Sequence, residues 1–201
     1  ISNRGQWLAQ NVTLKGSSFS NYAAASEEMN LNLEPEGSGA SYLFLSMTGY
    51  TLGSNAGTYV FDQFDIAQQQ GLYLDSDPTS GTGMTIYANN MTVAGSINVN
   101  AKGFNTNNPG PGTPTASNFG AGHGGNGAGI GGGQAYGVYD YPITLGSAAG
   151  NGVGGGAVHL IIAGTLHLSS SALISADAAT GNGAGGSAGG SIWIDANELT
   201  G

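Results

Sequence analysis

A short pattern that recurs near the end of the chain restricts the fold more than any other feature. Residues 155–160 read GGAVHL and return 34 positions later as GGSIWI at 189–194. An upstream copy, IYANNMT at 86–92, aligns without a gap to IDANELT at 194–200. Each copy reads as a short alternating strand, a polar corner and another short strand. Such periodicity is typical of stacked repeat architectures.

Two copies also share a closing element, VNAKG at 99–103 and ISADA at 174–178. We therefore predict an all-β chain that forms a right-handed parallel β-helix, or solenoid, with a long glycine-rich insertion. Residues 1–103 would form an N-terminal β region with the first clear rung, 104–156 the insertion, and 157–201 the C-terminal rungs of one continuous domain.

The composition excludes several classes of protein. The 201 residues include 38 glycines, yet 39% are hydrophobic, which indicates ordered β-structure with long glycine loops. Cysteine is absent, so disulfide scaffolds and thiolate metal sites are excluded. A net charge of −9 with only three basic residues argues against binding to nucleic acid or an anionic membrane. No apolar run approaches about 18 residues, so we predict no membrane span.

The insertion begins with a Pro- and Gly-rich run at 107–115 that excludes helix and central strand. Its glycine spacings around 121–129 resemble phosphate-binding loops, but the helix and lysine that those loops need are missing. We expect an ordered, tightly packed glycine segment or a loop that lies along the predicted β-helix, because glycine lets backbones approach closely.

The acidic residues do not form a recognisable metal site. Four glutamates surround the alternating residues 29–33, but the spacing of a calcium loop is missing, which favours a solvated edge: Glu27, Glu28, Glu34 and Glu36. Asp75 and Asp77 are two residues apart, and without a glutamate continuation this spacing indicates a plain turn. We predict no metal and no cofactor.

A β-helix could also be an enzyme that cleaves polysaccharides. A hydrolase needs converging carboxylates, for which Asp62 and Asp65 are the best pair and Asp75 with Asp77 the next. A lyase that acts on uronates needs a catalytic base and positively charged side chains that bind the substrate. The basic residues at 4, 15 and 102 are too far apart in the sequence to form such a site. The histidines lack convergent partners: His159 and His167 are expected to point outward, and His123 stands in a glycine loop. We therefore predict no catalytic residues and no enzyme.

A series of glycine-containing motifs carries a resemblance to a known group of proteins. The motifs are GHGG at 122–125, YPITLGS at 141–147, GGGAV at 154–158, GTL at 164–166, ISA at 174–176 and GGSIWI at 189–194. Together they resemble glycine-rich extracellular repeat proteins of algae, protists and plants, and the subunits of flagellar hairs (mastigonemes) and surface fibres. The resemblance covers residues 120–201, extends partly to 84–103 and implies a secreted structural protein of the cell surface or a flagellar appendage.

A carbohydrate-binding adhesin module is the alternative function. The aromatic-rich residues 42–74 could present rings to a sugar, although the same rings also suit a core or a subunit interface. Ice binding is disfavoured because the threonines do not recur at one position of the repeat.

Two sequence features predict modification and self-assembly. Asn11 and Asn90 begin N-glycosylation sequons, so attached glycans are expected at both. The last copy of the repeat stops at Leu199 and Gly201, so its rung would be incomplete. Residues 1–5, which include Ile1, Asn3 and Gly5, have the same form as the closing element. We predict head-to-tail assembly into a homopolymer through these residues. The rival interpretation is a segment of a longer covalent array.

Overall fold

The structure, a computed structural model, describes most of the chain after residue 57 and five short stretches before it. The described residues are 2–3, 11–15, 19–21, 30–34, 41–45, 58–181 and 185–201, and side chains are described only from residue 63 onward. Within these ranges the regular structure is entirely strand. No helix in them has the length and apolar character needed to cross a membrane.

The described strands fall into two parallel sheets of six, and successive strands alternate between them. The first sheet has the order β1-β3-β5-β7-β9-β11, with bounds Ser2–Asn3, Phe19–Asn21, Ser41–Leu45, Gln70–Leu74, Ser96–Asn98 and Leu173–Ser175. The second has the order β12-β10-β8-β6-β4-β2, with bounds Ser191–Thr200, Ala157–Leu168, Met84–Val93, Thr58–Ile66, Asn30–Glu34 and Asn11–Lys15.

The strand register confirms the alignment of the repeat. Val158, His159 and Leu160 of β10 pair with Ile192, Trp193 and Ile194 of β12, as the spacing of 34 requires. The same three residues pair with Met84, Thr85 and Ile86 of β8. Equivalent residues of successive copies therefore form columns that cross the sheet, and neighbours in a column are about 4.8 Å apart.

The prediction of a right-handed parallel β-helix was wrong, because the two sheets do not close into a coil. The supposed polar corner is the main source of the error. Residues 84–93 form one continuous strand of 10 residues rather than two short strands with a corner at Asn89 and Asn90. The polar positions instead coincide with a register irregularity after Ile162 of the neighbouring strand β10. The polar interruption thus produces a bulge-like defect in a long strand and not a turn.

The predicted closing element was also misaligned. Ile174 pairs with Ile97 of β9, not with Val99, and residues 99–103 lie outside any strand. The alignment was shifted by two residues, which preserved the alternation of apolar positions and therefore could not be detected from the pattern alone.

The core lies where the two sheets face each other. Buried apolar residues of β6, β8 and β10 form one cluster with those of β7 and β9: Phe64, Ile66, Met84, Ile86, Ala88, Met91, Val93, Val158, Leu160, Ile162 and Leu166 from one sheet, and Leu72, Leu74 and Ile97 from the other, with Val99 just after β9. The inward positions alternate with more exposed ones along β8, as the period of two in a strand requires.

Residues 99–156 contain neither helix nor named strand, and glycine backbones pack directly on one another there. Gly103 N–H donates to Gly154 O, Gly154 N–H donates to Phe104 O, and both bonds are 2.8 Å long. A Cβ built on Gly154 would collide with the carbonyl of Gly146. Backbone polar groups of this strand-free segment are thus paired with one another across gaps that no side chain can enter.

The collision at Gly154 predicts a large effect of a single methyl group. Gly154→Ala should lower the free energy of unfolding by about 2–3 kcal/mol, because the buried backbones must separate to admit the Cβ. Gly186→Ala is the matched control, since nothing lies within 4 Å of a Cβ at that position. Denaturant titration of both variants measures the difference, and equal stability of the two would contradict the proposed backbone packing.

Candidate functional site

An aromatic and histidine cluster lies on the outward face of the second sheet. His159 and Trp193 are neighbours in one column, and their rings stack with centroids 3.7 Å apart and planes 4° from parallel. Tyr141, on the loop formed by residues 137–144, contacts Trp193 edge-on at 4.5 Å with an interplanar angle of 67°. Strand register therefore produces the stack, and the loop adds the third ring.

The stack places His159 in an environment that disfavours its protonated form. Burial lowers the pKa of His159 from its ordinary value of 6.5 and outweighs the opposing attraction of the Asp195 carboxylate. Nε2 of His159 is buried and has no hydrogen-bond partner among the described residues. The ring therefore packs against Trp193 with this nitrogen enclosed.

The loop of residues 137–144 is fastened at Thr144. Nδ1 of His123 lies 2.8 Å from Gly189 O, and because a carbonyl only accepts, this nitrogen carries the proton. Nε2 of His123 is then an acceptor for the Thr144 hydroxyl at 2.8 Å. Ser191 Oγ donates to Thr144 O at 2.7 Å and joins the same loop to β12. Burial lowers the pKa of His123 despite the bond to Gly189.

A second chain of hydrogen bonds supports the loop from below. Gly112 N–H donates to Ser147 Oγ at 2.9 Å, Ser147 donates to Tyr136 Oη at 2.9 Å, and Tyr136 donates to Leu145 O. Burial raises the pKa of Tyr136, although its bond to Ser147 opposes the rise. The Tyr136 ring also packs at 4.9 Å from the His123 ring. The loop is consequently attached at both ends to buried, hydrogen-bonded groups.

Two clefts flank the loop. The His159 cleft has a volume of about 210 Å³ and is lined by Gly81, Thr82, Gly83, Met84, Thr85, Tyr141, Ile143, Thr144, Ala157, Val158 and His159. The His123 cleft is larger, at about 530 Å³, and is lined by His123, Gly124, Ala135, Tyr136, Gly137, Val138, Tyr139, Pro142, Thr144, Gly190, Ser191 and Ile192. Thr144 belongs to both and separates them.

The electrostatic environment of the clefts is neutral to acidic. Lys102 is the only basic residue after residue 15, and it forms an ion pair of 3.6 Å with Asp75. Asp140 lies on the loop between the two exposed tyrosines, Tyr139 and Tyr141. No cationic side chain of the described region lines either cleft. The described side chains that line the two clefts are therefore uncharged when His123 and His159 are neutral.

Thr144 and His123 are arranged like a nucleophilic hydroxyl and its general base, but the surroundings of His123 favour a structural role. A carbonyl rather than a carboxylate orients the imidazole, so the imidazolium that proton transfer would create lacks the stabilisation that a carboxylate provides. The lowered pKa of His123 also makes the ring a weaker base. Among the described residues, no group of three or more His, Asp or Glu side chains is placed to hold a metal ion.

The predicted carboxylate pairs separate into two cases. Asp65 accepts a hydrogen bond of 2.7 Å from Gln63, and the side chain of Asp62 lies outside the described residues. Asp77 forms the predicted turn: its carboxylate accepts from Thr79 N–H and Ser80 Oγ, both at 2.8 Å. Burial opposes these bonds, yet together they hold the pKa of Asp77 below 3.8. Asp77 is therefore occupied by its own turn.

The residues predicted for modification lie in strands. Asn90 is exposed on β8, and its Oδ1 accepts a hydrogen bond of 3.1 Å from Thr165 N–H at the irregularity of β10. Asn11 is the first residue of β2, and its side chain is outside the described part. Whether either asparagine carries a glycan stays a prediction.

The residues predicted for assembly lie at opposite ends of the sheets where they are described. Leu199 is on β12 and Asn3 on β1, the last strand and the first. Gly201 follows β12 and is exposed. Ile1 and Gly5 are outside the described residues, as are Glu27, Glu28 and Glu36. Glu34 ends β4.

The ring cluster itself was missed in the sequence, although part of it could have been found. His159 was expected to point outward, and it does lie on the outer face, but its stacking with Trp193 follows directly from the repeat spacing of 34. The contacts of His123 with Gly189 and Thr144 join residues 66 and 21 positions away, outside any repeat. No local pattern indicates those contacts.

Comparisons with family models, with curated proteins and with solved structures find no match to this chain.

The two shifted histidines predict how stability depends on pH. Both folded-state pKa values lie below the ordinary 6.5, so the unfolded chain binds more protons at mildly acidic pH. The free energy of unfolding should be highest above pH 6.5 and should decrease as the pH falls below it. Denaturant titrations between pH 7.5 and about pH 5 measure this slope.

Replacing both histidines identifies the source of that slope. The double variant His123→Gln and His159→Gln should have a smaller slope than the unmodified chain in the same pH window. A double variant that keeps the full slope would show that other groups cause it. Asp77 does not interfere, since, despite the opposing effect of burial, its hydrogen bonds lower the pKa of its carboxylate and move its titration further from this pH window.

Proposed function

We propose that the protein is a structural subunit that assembles head-to-tail into an extracellular filament or surface coat. The proposal takes the two open parallel sheets as the assembling unit. The extracellular location rests on the resemblance of the glycine motifs and on the sequons at Asn11 and Asn90. The proposal of assembly rests on the apolar residues exposed at one end of the sheets. This end is formed by β11 and β12, and we call it the end layer.

One observation carries the proposal: the core columns continue into the end layer and become uncovered there. Leu166 of β10 is 0% exposed, whereas Leu199, its partner on β12, is 62% exposed. Val158 and its partner Ile192 differ in the same way, at 1% and 38%. Leu199 and Ile192 thus occupy inward positions, but they are not covered as the equivalent residues of β10 are. Exposed apolar surface of this kind favours an interface.

The opposite ends of the sheets fit each other in direction. Among the described strands, β12 has a hydrogen-bonded neighbour on one side only, and so does β2 at the far end of the same sheet. All strand pairs in the sheet are parallel, so β2 of a second copy can continue the sheet past β12 without reversal. Such a contact joins different surfaces of the two copies and generates an open filament.

The register of both sheets specifies how two copies would join. Continuous pairing places Val12, Leu31, Phe64, Met91, Leu166 and Leu199 in one column of the second sheet. In the first sheet, pairing connects Ser2 through Ser20, Phe44, Tyr73 and Asn98 to Ser175. Adding a copy in register would therefore bring Leu199 beside Val12 and Ser175 beside Ser2. This agrees with the sequence alignment of residues 1–3 with 174–176.

Charging the end layer should prevent assembly. Leu199→Asp is expected to raise the dissociation constant for self-association at least about tenfold, because burial of a leucine contributes about 1.5–3 kcal/mol. Ile130→Asp is the matched control: Ile130 is fully exposed on the glycine-rich segment, away from the end layer. Sedimentation velocity and electron microscopy of the purified chain measure assembly. A chain that stays monomeric without any substitution contradicts the proposal and favours a longer covalent array.

Engineered cysteines test the register directly. The chain contains no cysteine, and Thr13 and Thr200 occupy one column at opposite ends of the sheet. The double variant Thr13→Cys and Thr200→Cys should form disulfides only between copies, since adjacent Cα atoms would be about 5 Å apart across the new contact but over 20 Å apart within one chain.

A shifted pair provides the control for that experiment. Lys15→Cys with Thr200→Cys moves one cysteine two positions along the strand, which separates the Cα atoms by about 8 Å and exceeds the reach of a disulfide. Non-reducing electrophoresis should show a ladder of oligomers for the first pair and monomer for the second. Equal cross-linking of the two pairs would exclude the proposed register.

A further inference from the structure

We propose that the His123 cleft binds a neutral oligosaccharide. The cleft volume of about 530 Å³ falls within the range of about 300–1,000 Å³ that is usual for small-molecule sites. The neighbouring His159 cleft, at about 210 Å³, is below that range. Size therefore selects one of the two clefts as able to accommodate sugar rings.

The rim of the cleft presents an exposed aromatic ring on a fastened loop. Tyr139 is 96% exposed, and Val138 beside it is also exposed. The loop is held by the bonds of Thr144 to His123 and Ser191, and by the contact of Tyr141 with Trp193. A tyrosine ring offers an apolar face for the C–H groups of a pyranose and a hydroxyl for its polar edge. Because the loop is already ordered, binding loses little conformational entropy there.

Charge decides the class of sugar. Lys102, the only basic residue after residue 15, is paired with Asp75 and does not line the cleft. Asp140 lies next to Tyr139 on the loop but does not line the cleft, and the chain carries a net charge of −9. This negative charge repels uronates and sulfated sugars. Neutral hexoses therefore complement the cleft better than acidic ones.

Gly124 forms part of the cleft wall and leaves it open. Most glycines of this segment are needed because a Cβ would meet a neighbouring backbone, but a Cβ on Gly124 would meet nothing within 4 Å, and its φ is not positive. Neither packing nor backbone conformation requires glycine at this position. Its lack of a side chain leaves the cleft wall unobstructed, which is what a bound ligand would require.

Calorimetric titration of the purified chain with cellohexaose, laminarihexaose and mannohexaose tests the proposal, with hexagalacturonate as the acidic comparison. At least one neutral hexasaccharide should bind and hexagalacturonate should not. Tyr139→Ala should weaken binding about tenfold, as loss of an aromatic anchor does. The substitution cannot disturb the core, because the side chain is exposed.

A pair of bulky substitutions places the binding in the cleft. Gly124→Trp should abolish measurable binding by filling the cleft wall, whereas Gly186→Trp, at an equally open position that does not line the cleft, should leave the affinity within about twofold. Thermal unfolding of both variants verifies that they fold. The proposal is overturned if no neutral hexasaccharide binds, if hexagalacturonate binds as tightly, or if Gly124→Trp binds like Gly186→Trp.

Discussion

In-register pairing of parallel strands is the constraint on which the rest of the structure depends. Residues 158–162 and 166–167 of β10 lie between their equivalents in β8 and β12, so the chemistry of one copy is repeated a strand spacing away in the next. Inward columns accumulate apolar side chains and form the core. Outward columns bring like positions together as well, and the stacking of His159 on Trp193 is one result. Core and ring cluster thus have the same origin.

Glycine organises the parts that the strands do not. Residues 99–156 have no strand of their own, yet their backbone groups pair with one another and with the residues before β12, as in the bond of Gly155 N–H to Ala188 O at 3.0 Å. Such pairing works only where no Cβ intervenes. The resulting layer is rigid enough to place His123 and Tyr136 beneath the loop of residues 137–144. A segment with the composition of a flexible linker therefore becomes the support of a cleft.

The sequence was informative about what repeats and uninformative about how the chain turns. The spacing of 34 correctly pairs Val158 with Ile192 and His159 with Trp193. It does not distinguish a corner from an irregularity within a strand, since Asn89 and Asn90 suit both, and the β-helix prediction failed for that reason. The bond between His123 and Thr144 was not predictable, because nothing periodic relates a glycine loop to a residue 21 positions later. Exposure of Leu199 likewise depends on which layers surround it.

The end layer is organised on one face although it is uncovered on the other. On the outward face, Trp193 is held by His159 and Tyr141, and Glu198 accepts a hydrogen bond of 2.9 Å from Thr165. On the inward face, Leu199 is 62% exposed and Ile192 38% exposed. The contacts of the outward face hold β12 in place, and its apolar positions are already aligned with the core columns. A partner strand that docks there gains burial without the cost of ordering β12, which is the condition under which exposed edge strands associate most readily.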